Sequence, residues 1–285
     1  PAQPARKMPA ACPLSRSSSM RHRVTTELVA IAFLAVACSN DDTSDDSGAT
    51  SNGTKVSGVP VGSGLGANNG TTCDGSLRGR VRDFRMTFPD MEPAHSGKSD
   101  NAKDVGMVKA EIDTTSRKPI YAGAPTGTLT TTGPANFDKW FRDSSADNVG
   151  QDLPLTFAGP DAKGVYSYDN QQFFPIDGQL WGNEGKNHNY SFTFELHTVF
   201  QYKGGEQFTF IGDDDVFTFI NGKLVVDLGG VHEAETATVD IDSLGLTKGN
   251  NYPLDFFFAE RHVTESHFRI DTSLEFVDCG KIYLQ

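Results

Sequence analysis

Cations are scarce in this 285-residue chain: 25 Lys plus Arg stand against 37 Asp plus Glu, a net charge of -12. Such a balance repels polyanions, so nucleic acid is not an expected partner. No apolar run is long enough for a bilayer-spanning helix, since the one from Leu28 to Ala37 stops well short of the length required. Also missing are His-Glu-x-x-His, Gly-x-Ser-x-Gly and a phosphate-binding glycine loop, the 29 glycines being scattered. A hydrolase acting on glycans needs two opposed carboxylates, for instance Glu260 as acid and Asp215 as base, and nothing in the sequence places them so. No enzyme is expected. Apolar residues make up 37% and concentrate after about residue 77, where Phe and β-branched residues recur at short spacing. Only that later part has the material for a core, and its length suits one large sandwich or barrel.

The beginning of the chain reads as a processing signal. Met20 is followed by Arg21, His22 and Arg23, then by the apolar run, which ends in Ala35-Val36-Ala37-Cys38. Because a cysteine follows the small-residue cleavage site, the segment resembles a bacterial lipoprotein signal peptide, with Ala35 where that family usually has Leu. The resemblance implies lipidation at Cys38, display at the outer membrane or cell surface, and membrane contact through the lipid anchor only. The alternative is an ordinary secretory signal cut beside a cysteine. Residues 1–37 are thus an over-extended start plus signal. Residues 38–72 are mostly Ser, Asn, Asp, Thr and Gly, which cannot offset the entropy of ordering, and form an expected disordered acidic tether. The Asp41, Asp42, Asp45 and Asp46 group lacks the Gly and Glu of a calcium-binding EF-hand loop.

Cys73 and Cys279 bracket the remainder. In an exported chain they are expected to form a disulfide, since neither has a Cys or His at zinc-ligand spacing. The folded domain is then 73–279, with a tail at 280–285. Within it the period is two: Phe192, Phe194, Leu196 and Thr198 alternate with polar residues, as do Phe268, Ile270, Thr272, Leu274 and Phe276, predicting half-buried strands. Gln207–Ile211, Val216–Ile220 and Lys223–Leu228 are further strands, with Asn221-Gly222 as a tight hairpin turn. Leu254–Ala259, with three consecutive Phe, is expected to be covered on both faces. One short helix is predicted around Phe137, Trp140 and Phe141. The fold class is all-β, an antiparallel sandwich with long irregular loops.

Asp213-Asp214-Asp215 lies between two apolar strands and must occupy a tight connection. Three adjacent carboxylates repel one another, and a hard cation relieves that repulsion. Calcium fits best because it accepts six to eight oxygens in irregular loops. Asp227, across the hairpin, is a fourth candidate ligand. The alternative is a solvated acidic turn in which one Asp caps its own backbone. Glu260-Arg261-His262 forms a second cluster, with His232 and His267 as further rim candidates. Arg261 is suited to clamp a carboxylate, either for binding or as a loop-fixing ion pair. Trp140 and Trp181 are the two tryptophans; Trp181, on a predicted loop, is a candidate stacking face for a sugar, while burial is the competing reading.

The run Phe210 to His232, with Val81-Arg82-Asp83-Phe84, Phe173 to Gly178, Phe256 to His262 and Ser266 to Ile270, resembles the fibro-slime domain, a relative of the PA14 domain. The resemblance spans nearly all of residues 77–277 and implies a PA14-like sandwich. In sugar-binding PA14 adhesins, two adjacent Asp joined by a cis peptide hold a calcium that glycan hydroxyls also ligate. That pair maps here to Asp213 and Asp214, with Asp215 where Gly is usual. The Asn that completes the adhesin site has no clear counterpart, His267 lying in the corresponding loop. Taken together, these features predict a calcium-dependent surface module for a glycan or extracellular polysaccharide. A structural matrix protein contacting other surface proteins is the alternative, and a glycan-degrading enzyme the second.

Overall fold

The computed structural model describes Cys73 and residues 75–283, so the signal segment 1–37 and tether 38–72 lie outside the described residues. A seven-stranded sheet contains β1 (Ser76–Phe84), β3 (Asn148–Thr156), β5 (Phe192–Gln201), β7 (Asp215–Ile220), β8 (Lys223–Leu228), β11 (Asn251–Glu260) and β13 (Glu275–Asp278). Its order is β3-β1-β5-β11-β7-β8, with β13 pairing β5. A four-stranded sheet runs β10 (Glu235–Asp240), β6 (Gln207–Gly212), β12 (Phe268–Thr272), β4 (Tyr166–Asn170). Between β2 (Ala102–Lys103) and β9 (Gly230–Val231) there is a short ribbon. These pairings are all antiparallel.

The sheets face each other across a phenylalanine-rich core, as period-two strands with one apolar face must. Phe268 of β12 occupies its middle, with ring centroids 5.4, 5.5 and 5.2 Å from those of Phe210, Phe256 and Phe258. Strand β11 is buried on both faces, as its Phe triplet predicts: Phe256 and Phe258 enter this core while Phe257 joins a second one. That second core is capped by the long connection between β1 and β3, which supplies Met91, Met107, Phe137 and Trp140 among others. Phe137, Trp140 and Phe141 do pack together, but the helix α1 (Pro134–Phe137) is a single turn.

Two strand expectations are corrected. Strand β5 is buried along nearly its whole length, not on one face, because its polar residues meet buried countercharges. Glu195 accepts hydrogen bonds from Lys118 Nζ and Arg82 Nη2, and His197 Nδ1 lies 2.7 Å from Asp255 Oδ1. The 268–276 stretch is not one strand either: it breaks at Ser273-Leu274 and its halves enter different sheets. The alternation persists because both halves face the same core between the sheets. The hairpin forms as expected, with Asn221 and Gly222 at φ 51° and 79°, the doubly left-handed turn suited to paired strands. A disulfide joins Cys73 to Cys279, 206 positions apart with Cα atoms at 5.2 Å.

Candidate functional site

Strand β6 belongs to the small sheet and β7 to the large one, so Asp213 and Asp214 make the crossing between layers. Two other crossings arrive at the same corner. The β11–β12 connection does so because Ala259 pairs with Asp215 while Phe268 pairs with Gly212. The segment after β8 does so because Glu235 also pairs with Gly212. Gly212 itself is packed so closely that a Cβ there would lie 2.3 Å from the His267 carbonyl oxygen. Asp214 turns the chain with φ 54°, a left-handed conformation that Asp tolerates better than most residues. The cis bond that the resemblance implies within the acidic triplet is not found; the cis peptide among the described residues is Gly159–Pro160.

The triplet is not a solvated turn, for Asp213, Asp214 and Asp215 are 4%, 3% and 0% exposed. Each carboxylate has distinct partners. Asp215 accepts Gly230 N–H at 2.7 Å and Arg261 Nε at 2.6 Å. Arg261 is fully enclosed: its Nη1 donates to the Asp90 and Thr130 carbonyls, and its guanidinium lies 4.7 Å from the Trp140 ring centroid. The pair therefore locks the corner to the capping layer. Asp214 accepts N–H groups from Arg261 at 2.8 Å and His232 at 3.3 Å. Asp213 is grasped twice by residue 267, with its N–H at 2.5 Å from Oδ1 and its Nδ1 at 2.7 Å from Oδ2.

Behind these sits Glu260, 0% exposed, whose Oε2 makes no hydrogen bond. Burial and then the charges of Asp214 and Asp213 hold its pKa well above the ordinary carboxylate value. Burial likewise pushes Asp214 up to about 7, with Arg261 opposing and Asp215 and Asp213 adding to the rise. Outward from Asp213 and Asp214 opens a cavity of about 300 Å³, also walled by Asp100, Glu233 and Glu265 and by His232, His262 and Thr264.

The structure thus gathers Asp213, Asp214, His232 and His262 at one cavity, with His267 and Glu260 adjoining. It separates the others. Asp215 is consumed by Arg261, and Asp227 lies across the hairpin accepting Gly106 and Gly229 N–H groups. Trp181 stands elsewhere beneath the Arg85 guanidinium, 4.4 Å from its ring centroid, and its N–H donates to Asp83. Asp100, Asn101, Thr264 and Glu265 are among the cavity residues that sequence reasoning missed. Glu265, two positions before His267, had a local signal; Asp100 comes from the distant β1–β3 connection and had none.

Residues 165–284 match the family described as the PA14 domain. Over that stretch the folded region is similar to a PA14 domain. Protein psiR of Dictyostelium discoideum is 44% identical over 175 residues, covering 55% of this chain and 17% of that protein. Protein psiB of the same organism is 40% identical over 208 residues, covering 67% of this chain and 38% of that protein. The chain therefore spans well under half the length of these relatives. Among solved structures, the PA14 domain of the MpAFP antifreeze protein aligns with 75% of this chain and 94% of that one, at 12% identity and a TM-score of 0.30.

Proposed function

We propose that this domain is a calcium-dependent carbohydrate-binding module displayed outside the cell, with Asp213 and Asp214 holding the ion at the floor of the acidic cavity. The observation that carries this reading is a set of buried carboxyl groups with too few cations to let all of them ionise. Asp213, Asp214, Asp215 and Glu260 are enclosed together, their one buried cation, Arg261, is already paired with Asp215, and an oxygen of Glu260 is left without a partner. Removing carboxylates from water without matching positive charge is costly, and a divalent ion beside Asp213 and Asp214 supplies that charge. A hard ion matches the all-carboxylate donor set of these two residues, and calcium accepts the irregular geometry of a layer crossing. Its outward positions would be filled by water, which vicinal sugar hydroxyls replace; the cavity walls select by shape. No residue pair is assigned a bond-breaking role, so the reading is of a binding module and not an enzyme.

Adding millimolar calcium to EDTA-treated protein is expected to raise its melting temperature by several degrees, and Asp214→Asn to abolish most of that shift. A glycan array is expected to show spots that vanish in EDTA. An unchanged melting temperature would remove the ion, whereas a calcium shift without calcium-dependent spots would leave a surface scaffold with a stiffened corner. Attachment through a lipid on Cys38 belongs to the same reading and is tested by metabolic labelling with a fatty acid, which Cys38→Ser should prevent.

A further inference from the structure

Thr264 and Glu265 separate the acidic cavity from a second one, of about 260 Å³, whose wall includes Ser266 and His267. Within this partition Asp213, Glu265 and His267 each offer one ligand atom, and the three atoms lie within 4.8 Å of one another. His267 Nδ1 is 2.7 Å from Asp213 Oδ2 and 3.7 Å from Glu265 Oε2. Donors held at about 2.0–2.2 Å by one tetrahedral zinc stand roughly 3.3 Å apart. The two distances fall on either side of that spacing, so small side-chain rotations would suffice to admit an ion.

The donor types narrow the metal. An imidazole nitrogen beside two carboxylates is a poor set for calcium or magnesium, which take oxygen, and a good one for a borderline ion. We propose that Asp213, Glu265 and His267 form a zinc-class metal site on the rim, chemically distinct from a calcium position at Asp213 and Asp214. The fold prepares two of its three ligands. Asp213 is 4% exposed and its Oδ1 is fixed by the His267 N–H, which leaves Oδ2 turned to the ring. His267 precedes Phe268, which is paired on one side with Gly212 and on the other with Asn170. Glu265, its side chain 67% exposed, is free to close over the ion. Binding through Nδ1 places the ring proton on Nε2, and the remaining coordination position opens outward for water or a guest oxygen. The site uses neither Asp214 nor Glu260 but shares Asp213 with the calcium position, so zinc is titrated in calcium-free buffer, where the two ions do not compete.

Titrating zinc chloride into the full chain against a chromophoric chelator is expected to show one zinc per chain with micromolar affinity. His267→Gln and the surface change Glu265→Gln are each expected to weaken binding at least about tenfold, while His95→Gln leaves it unchanged. Cobalt(II) is expected to give a visible absorption band that His267→Gln abolishes. Because Glu265 is exposed, its variant remains informative should the change at His267 disturb folding. Zinc affinity unaffected by both variants, no binding at millimolar zinc, or loss in His262→Gln with His267→Gln unaffected would overturn the proposal. The calcium melting shift is measured on the same preparations: its absence with zinc binding intact sinks only the calcium reading, and the reverse sinks only this one.

Discussion

Asp214 and Asp215 are adjacent, acidic and enclosed, yet one is balanced and the other is not. Asp215 has Arg261 at 2.6 Å; Asp214 has only backbone N–H groups and a buried Glu260 nearby. Removing Arg261 would strand the Asp215 charge, so Arg261→Met is expected to cost about 3–5 kcal/mol in urea unfolding, with Asp215→Leu added to it restoring part of the loss. Asp214 makes the opposite contribution. Its folded pKa of about 7 exceeds the ordinary carboxylate value, so between the two the folded state holds more protons than the unfolded state, and stability falls as pH rises through that window. EDTA-treated protein is therefore expected to melt at a higher temperature at pH 6 than at pH 8, and calcium to recover much of the difference at pH 8. A melting temperature that climbs from pH 6 to pH 8 in EDTA would contradict the buried charge. Glu195 titrates the other way: burial raises its pKa, but His197, Arg82 and Lys118 outweigh this and bring it to about 2, so its support is lost only below about pH 4.5.

The layer crossings govern the site at the scale of elements. Gly212 admits no side chain, since a Cβ would meet the backbone oxygen of His267 at 2.3 Å. Gly212→Ala is expected to push β6 from β12, to cost about 1–3 kcal/mol as overpacking does, and to weaken calcium binding even after correction for unfolded protein. Calorimetry of the folded fraction checks this. Period-two alternation made β5 to β8 legible, and acids wedged between apolar strands disclosed the Asp213–Asp214 turn. The same alternation misled at 268–276, because a strand that changes sheet while facing one core keeps its pattern through the break. It also misread the polar face of β5, where Glu195 and His197 look solvent-facing although Lys118 and Arg82 cover the first and Asp255 pairs with the second. The convergence of three crossings was unreadable, since the connections after β8 and β11 have no periodicity. That is why Asp227 looked close to the triplet and Asp100 did not. Arg261 was legible as a carboxylate clamp, though not which carboxylate it holds.

At the scale of the whole molecule the domain is closed by one covalent link between its first and last described segments. Breaking Cys73–Cys279 releases a loop of 206 positions, which in the chain-entropy account costs up to about 5 kcal/mol. Cys279→Ser is expected to lower the melting temperature markedly while leaving the calcium shift in place, because the acidic corner touches neither cysteine. Calorimetry of the variant with and without calcium measures both effects. The same bond has a mechanical meaning. Residues 73 and 279 are tied at a Cα separation of 5.2 Å, so tension pulled along the polypeptide enters at one sulfur and leaves at the other. The sheets between them carry almost none of it. A stretch applied across residues 73 and 279 would therefore run through the disulfide and leave the acidic cavity undeformed.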